Sequence, residues 1–303
     1  MNIYEQISSN KRNSYFLIFF FCIIILALGY LIGRIFLGNY LIGMIFAFII
    51  AIIFSLIGFY SGDRMILSMS HAKEVSKQDD PFLINTVEGL SIAAGLKKSP
   101  KVYIIEENSI NAFATGRNPE NSSITITSGA RKKLNRLELE GVISHELSHV
   151  KNYDIRFMML VVVLLGIVVL LSDAILRSFL WGGGRRDSKG SGGAGGAIII
   201  LIGLALAILA PIIAQLIKFA ISRKREYLAD SDGALLTRYP KGLADALRKI
   251  KKDTDKVVDT ANKATAHLYI ENPLRNKENI NWIDRLFMTH PSIDERIKIL
   301  DSM

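Results

Sequence analysis

Cysteine is almost absent from this chain of 303 residues, since Cys22 is the only one. A single cysteine excludes a disulfide framework within the chain, and this shortage fits a reducing compartment. Histidine is also scarce, with five residues, so a regular spacing of histidines is informative. The sequence has no internal repeat, and no small-residue cleavage site follows its first apolar block.

Charge is nearly absent from four apolar blocks, at residues 15–37, 40–60, 155–181 and 197–221. They account for a hydrophobic content of 50% and a positive mean hydropathy of +0.29. As a helix, each block is long enough to cross a hydrocarbon core of about 30 Å. The first is too long for the core of a signal peptide, so we interpret it as a retained anchor. The sequence therefore predicts four transmembrane helices.

Two connections pair these blocks into hairpins. The first, around Gly38 and Asn39, is very short, and the second, at residues 182–196, is rich in glycine and serine, which is typical of a flexible linker. We therefore predict transmembrane hairpins at 1–60 and 155–221, with one soluble domain split into parts at 61–154 and 222–303.

An even number of spans places both termini and both soluble parts on one side of the membrane. More basic residues lie near the membrane ends on that side than on the other: Lys11, Arg12, Arg64, Lys73, Lys77, Lys151, Arg156, Arg223, Lys224 and Arg225, against Arg34, Arg185, Arg186 and Lys189. The positive-inside rule then predicts that the termini and the soluble parts are cytoplasmic, in a multi-pass protein of the cell (inner) membrane. These flanks also explain the net charge of +9, so we expect no nucleic-acid binding.

The soluble parts are predicted to be mainly α with a small β-sheet. A helix is expected at 81–95, strands at 102–107 and 124–127, and a turn at 118–121 between them. Asn135 and Glu138 form a capping-box pattern that begins another helix. Further helices are expected near 242–252 and 292–300.

The most informative motif lies on the helix that begins at Asn135. His145-Glu146-Leu147-Ser148-His149 is an H-E-x-x-H pattern, in which histidines at i and i+4 share one face and both imidazoles can bind one metal ion. Glu146, beside the first histidine, then faces the open coordination position, where it can accept a proton from water. Incidental histidines on a surface helix are the alternative.

A catalytic zinc usually keeps three protein ligands and one water, and Glu226-Tyr227-Leu228-Ala229-Asp230 offers the third ligand. Glu226 and Asp230 share a helix face, so Glu226 is predicted to bind zinc and Asp230 to hydrogen-bond the far nitrogen of a ligating histidine. His149 precedes the third span and Glu226 follows the fourth, so the hairpin between them brings the ligands together at the membrane surface.

With these motifs and the four-span layout, the chain resembles the HtpX-type membrane proteases, relatives of the CAAX prenyl endopeptidases within the gluzincins. The resemblance includes Asn111-Ala112-Phe113-Ala114-Thr115-Gly116. It implies a split zincin-like catalytic domain, one zinc ion on His145, His149 and Glu226, and Asp230 in support. It also implies quality control of misfolded membrane proteins, which are cut from the cytoplasmic side.

The same resemblance makes Asn111, Ala112 and Phe113 part of an edge strand that binds an extended substrate through its backbone, with an interior strand as the alternative. It makes His290 a candidate for stabilising the transition state, and a loop histidine at a helix start is the alternative. His71 and His267 lack a partner motif and are interpreted as structural or surface residues. Asp173 and Arg177, one turn apart in the third span, are expected to pair or to reach the outer surface.

The predicted activity is hydrolysis of peptide bonds in membrane-protein or peptide substrates at the cytoplasmic surface of the lipid bilayer, with Glu146 as general base. Other functions remain open: a CAAX-type prenyl-protein endopeptidase, an inactive membrane scaffold or a transporter. The intact Glu146 argues against the scaffold, and the few intramembrane charges argue against the transporter. The natural substrates and the oligomeric state do not follow from the sequence.

Overall fold

The computed structural model describes residues 3–36, 38–164, 166–167, 223–255, 268–270 and 291–303. These residues form a mainly helical molecule with one small mixed sheet, which confirms the predicted secondary-structure class. Most of the third predicted span and all of the fourth lie outside the described residues.

Two long apolar helices open the chain. Helix α1 spans Ile3–Phe36 and α2 spans Tyr40–Met69, and both are long and apolar enough to cross a membrane, at Ile7–Leu31 and Tyr40–Met69. Only 28% and 22% of their most apolar windows are buried inside the protein. Their outward surface is therefore largely apolar, as a surface that contacts lipid must be.

Small residues bring α1 and α2 into close contact. A Cβ atom added at Gly43 of α2 would lie 2.2 Å from the carbonyl oxygen of Gly29 and 2.5 Å from the Cα of Gly33. Neither distance is sterically allowed, so this crossing requires glycine. Such small-residue contacts are the usual means by which helices associate in membranes.

Helix α2 is longer than predicted, because it continues beyond residue 60 to Met69. Its 30 residues extend roughly 45 Å at 1.5 Å per residue, which exceeds a hydrocarbon core of about 30 Å. Hydropathy marks the part that crosses the bilayer, whereas the helix continues past Gly62, where an added Cβ atom would lie 3.1 Å from the Met159 side chain. The last turns of α2 thus join the membrane part to the soluble part.

The sheet has four strands in the order β1-β2-β4-β3: β1 at Lys73–Glu74, β2 at Lys101–Ile105, β3 at Ala112–Asn118 and β4 at Asn121–Thr127. β2 and β4 are parallel, and the other two pairs are antiparallel. The expected strands in the regions of β2 and β4 are confirmed. The predicted turn at 118–121 connects β3 to β4, not β2 to β4.

The remaining helices agree with the predicted ones within a few residues, except for the short helix at Ser128–Lys133, which was not predicted. They are α3 at Pro81–Ala93, α4 at Ser128–Lys133, α5 at Arg136–Lys151, α6 at Arg223–Thr237, α7 at Pro240–Lys252 and α8 at Ile293–Asp301. The capping box at Asn135 and Glu138 is confirmed. Residues 154–164 are also helical. Helix α5 is buried along most of its length, so it forms the centre of the soluble part.

Candidate metal centre

Three side chains from two helices converge in the protein interior. His145 and His149 lie one turn apart on α5, and Glu226 lies near the start of α6. The Nε2 atoms of the two histidines are 3.2 Å apart. The Glu226 carboxylate lies 3.7 Å from His145 Nε2 through one oxygen and 3.7 Å from His149 Nε2 through the other.

The size of this cluster fits a metal ion. A tetrahedral zinc with bonds of about 2.0–2.1 Å requires ligand atoms roughly 3.3 Å apart, which is close to the distance between the two histidine nitrogens and somewhat shorter than the two carboxylate contacts. One ligand atom from each residue lies within 4.8 Å of the other two, and all three residues are buried. The residues present therefore fit the metal that the motif implies.

Close contact between α5 and α6 makes this convergence possible. A Cβ added at Gly233 of α6 would lie 3.1 Å from the backbone nitrogen of His145. Glycine thus lets α6 approach α5 beside the first histidine. The spacing of Glu226 and Asp230 directs both side chains to the same side of α6.

A separate aspartate holds each histidine. Asp230 Oδ1 lies 3.0 Å from Nδ1 of His145, the contact that the sequence predicts, and Asp154 Oδ2 lies 3.1 Å from Nδ1 of His149. A proton on each Nδ1 would donate to the carboxylate and leave Nε2 as the metal-binding lone pair.

Asp154 contacts a histidine of the cluster but was not predicted from the sequence. Its Oδ1 accepts a hydrogen bond of 2.6 Å from the Asn10 side chain and lies 3.7 Å from Arg225. Asn10 also donates to the carbonyl of Asn152 at 2.8 Å. Asp154 follows the end of α5, where Tyr153 has a φ of 60°, so no helical period relates it to His149. A carboxylate just after the helix with the H-E-x-x-H motif was the available signal.

The charges around the cluster favour a cation. Burial raises the pKa of Glu146 and nearby Glu226 raises it further, while His145 and His149 oppose the shift. Burial alone would lower the pKa of His149, but the bond to Asp154 and the charge of Glu226 raise it to about 9. A divalent ion at the imidazole would replace this proton and satisfy the same carboxylates.

The pKa of Asp230 is shifted in the opposite direction. Burial alone would raise its pKa, but the Arg296 guanidinium and His145 lower it to about 2. Asp230 is therefore ionised at neutral pH and accepts the hydrogen bond from His145. The sequence motifs predict no role for Arg296.

The predicted substrate segment lies along β3, which is an edge strand of the sheet. The Asn111 backbone already bonds to Thr127. The Ala112 carbonyl accepts from the backbone N–H of Ile270 at 3.0 Å. Phe113 is buried and packs edge-on against Tyr269, with ring centroids 5.0 Å apart. Residues 268–270 thus already contact the part of the edge that the sequence assigned to substrate.

The structure describes only one of the other residues that the sequence analysis singled out. His290, His267, Asp173 and Arg177 lie outside the described residues. His71 is exposed, with a φ of 51°, just after the end of α2, which agrees with its interpretation as a residue without a site.

The chain is similar to several known proteins. The family model described as Peptidase family M48 matches residues 77–303. A Protease HtpX homolog of Dictyoglomus turgidum is 44% identical over 301 residues, which cover 99% of this chain and 94% of that one. A Protease HtpX homolog of Listeria monocytogenes serotype 4a is 44% identical over 308 residues, which cover 99% and 100%. The crystal structure of S. mikatae Ste24p matches with a TM-score of 0.48 and 19% identity, over 98% of this chain and 67% of that one.

Proposed function

The chain belongs to peptidase family M48 and is a membrane metalloprotease, and we propose that it hydrolyses internal peptide bonds with one zinc ion held by His145, His149 and Glu226. The observation that carries this proposal is the convergence of three buried ligand atoms, one from each residue, within 4.8 Å of one another. Asp230 and Asp154 support the two histidines.

Glu146 is the proposed general base. Its carboxylate is buried beside the cluster, where the charges of His145, His149 and Glu226 act on it. When bound, zinc lowers the pKa of water toward about 7 and polarises the scissile carbonyl. Glu146 takes a proton from the attacking water and passes it to the nitrogen of the leaving amine.

His290 is the proposed donor to the developing oxyanion. In support, helix α8 begins soon after it and brings Arg296 to Asp230, beside the cluster. The extended substrate is proposed to lie along Asn111, Ala112 and Phe113 of the β3 edge. Because Ile270 already donates to Ala112, a substrate strand must pair beside residues 268–270 or displace them.

The substrates are proposed to be misfolded membrane proteins, cut at the cytoplasmic surface by a catalytic domain split around a second transmembrane hairpin. Recognition through the backbone selects an extended chain more than a particular sequence, which suits quality control. A destabilised variant of a model membrane protein should then be cleaved faster than its stable parent. Equal rates for the two would argue against this role.

The experiment for the proposed activity uses the full chain, purified in detergent. Removal of metal with a chelator should abolish cleavage of a peptide blocked at both termini, and added zinc should restore it. Masses of the products should identify cuts at internal peptide bonds. Full activity in protein shown by metal analysis to lack zinc would contradict the proposal.

A further inference from the structure

Arg296 is a buried guanidinium beside the proposed metal centre, on a helix that contributes no ligand. It is 1% exposed and lies on α8. Its Nε donates to Oδ2 of Asp230 at 2.8 Å, and its Nη2 donates to Oδ1 at 2.7 Å. This is the parallel, two-point pairing by which arginine fixes both the position and the plane of a carboxylate.

Asp230 transmits this constraint to a ligand. The oxygen that accepts from Nη2 of Arg296 is also the one 3.0 Å from Nδ1 of His145. The orientation of the imidazole, and thus the direction of its Nε2 lone pair, depends on where Asp230 is held. Nη1 of Arg296 lies 3.8 Å from Glu226 and 3.4 Å from the Ile270 carbonyl, so one guanidinium contacts or flanks three parts of the site.

From these contacts we propose that Arg296 is a positioning residue: it fixes Asp230 so that His145 presents Nε2 to the metal, and it thereby makes metal affinity depend on the docking of α8. This inference rests on the proposed function, in which His145 is a ligand. Arg296 touches neither the substrate nor the reacting atoms in this role.

A purely structural role makes a different prediction. If Arg296 only anchored α8, its replacement would lower stability and leave the metal affinity of the folded protein unchanged. A positioning role requires a change in zinc affinity even where the protein remains folded. Arg296→Lys is the informative variant, because it retains the charge but loses the planar two-point contact.

Arg248, on the neighbouring helix α7, offers a matched control. It pairs with Asp245 of α7 and with Asp301 of α8, and neither is one of the two aspartates that contact the cluster histidines. Arg248→Lys makes the same chemical change in another ion pair that holds α8, without involving Asp230.

The experiment measures zinc dissociation constants of the full-length, metal-stripped protein by competition with a chromogenic chelator, and follows thermal unfolding in parallel. Arg296→Lys should weaken zinc binding roughly 10- to 100-fold, the usual effect of losing support for a metal ligand, while its melting curve remains cooperative. Arg248→Lys should stay within about threefold of the parent.

Normal zinc affinity in a folded Arg296→Lys variant would overturn the inference and leave the arginine as an anchor of α8. Normal zinc affinity in a Glu226→Ala variant would instead contradict the proposed ligand set. The two failures are therefore distinguishable. If Arg296→Lys does not fold, Asp230→Asn provides the second variant: it leaves Arg296 in place, and unchanged zinc affinity there would overturn the inference equally.

Discussion

Each histidine of the proposed centre is held by a carboxylate from a different part of the chain. Asp230 comes from α6 and is itself fixed by Arg296 of α8. Asp154 follows α5 and is fixed by Asn10 of α1. The orientation of two neighbouring imidazoles therefore depends on both ends of the sequence, and a change at Asn10 or Arg296 reaches the metal site through an aspartate.

Ligands and their supports should differ in the size of their effect on metal binding. Glu226→Ala removes one of three proposed ligands and should reduce zinc occupancy to a small fraction of the parent. Asp154→Asn retains a hydrogen-bond acceptor for His149 but loses the negative charge, so zinc affinity should fall only about 10- to 100-fold. Metal analysis after dialysis against graded zinc concentrations measures both. Normal occupancy in Glu226→Ala would place the third ligand elsewhere.

The sequence predicted those site residues that a helical period relates to one another. His145 and His149, like Glu226 and Asp230, are four residues apart on one helix, so local geometry alone places each pair on one face. Asp154 and Arg296 are related to the cluster by a chain reversal and by tertiary packing. No local pattern encodes those contacts, and they required the structure.

At the level of elements, the α1–α2 hairpin depends on the absence of side chains at its crossing. Lipid is as apolar as the helix surfaces, so hydrophobic burial does not hold two membrane helices together, and close packing must do so. Gly29, Gly33 and Gly43 supply that contact. The hairpin in turn carries Asn10, which bonds to Asp154, so helix packing and site geometry are physically connected.

Gly43→Ala should destabilise the protein, because the new methyl group would meet the carbonyl oxygen of Gly29 at 2.2 Å. Overpacking of this kind typically costs about 1–3 kcal/mol. Thermal unfolding of the purified protein in detergent should show a lower midpoint. Gly89→Ala in α3 is the control, since a Cβ there meets nothing within 4 Å and its midpoint should not fall. Equal midpoints for Gly43→Ala and the parent would show that α1 and α2 can move apart for the methyl group without loss of stability.

Hydropathy and capping patterns predicted where helices and strands lie better than they predicted where an element ends or which strands pair. The helices α3, α5, α7 and α8 were predicted within a few residues because caps and amphipathic periods are local. The extension of α2 to Met69 and the short strand β1 were missed. Both depend on packing against segments distant in sequence, which a local window does not include.

At the scale of the whole molecule, the start of α1 and the end of α2 lie on the side of the proposed metal centre. Asn10 contacts Asp154, and Met69 is followed closely by strand β1. Basic and aromatic side chains pair near these two helix ends. Lys11 lies 4.2 Å from the centre of the Tyr153 ring, and Arg117 lies 5.1 Å from the centre of the Tyr60 ring. Such residues concentrate at membrane–water interfaces, which supports a site at the membrane surface.

The proposed topology can be tested with single cysteines in a Cys22→Ser background. Ser188→Cys, in the loop at 182–196, should react with an impermeant thiol reagent on intact cells, because two predicted hairpins place that loop outside. Met303→Cys, at an exposed terminus, should react only after lysis. The reverse pattern would invert the orientation and remove the cytoplasmic assignment of the active site.

The most direct measurement of the central claim is made on Glu146→Gln. The substitution keeps the size of the side chain and removes its basicity, and Glu146 is not a proposed ligand. The variant should therefore bind one equivalent of zinc with the affinity of the parent and lose peptide cleavage almost entirely. Metal analysis and steady-state cleavage of the blocked peptide, on the same preparation, give both quantities. Zinc-loaded Glu146→Gln that retains substantial turnover would contradict the assignment of Glu146 as the general base and the mechanism built on it.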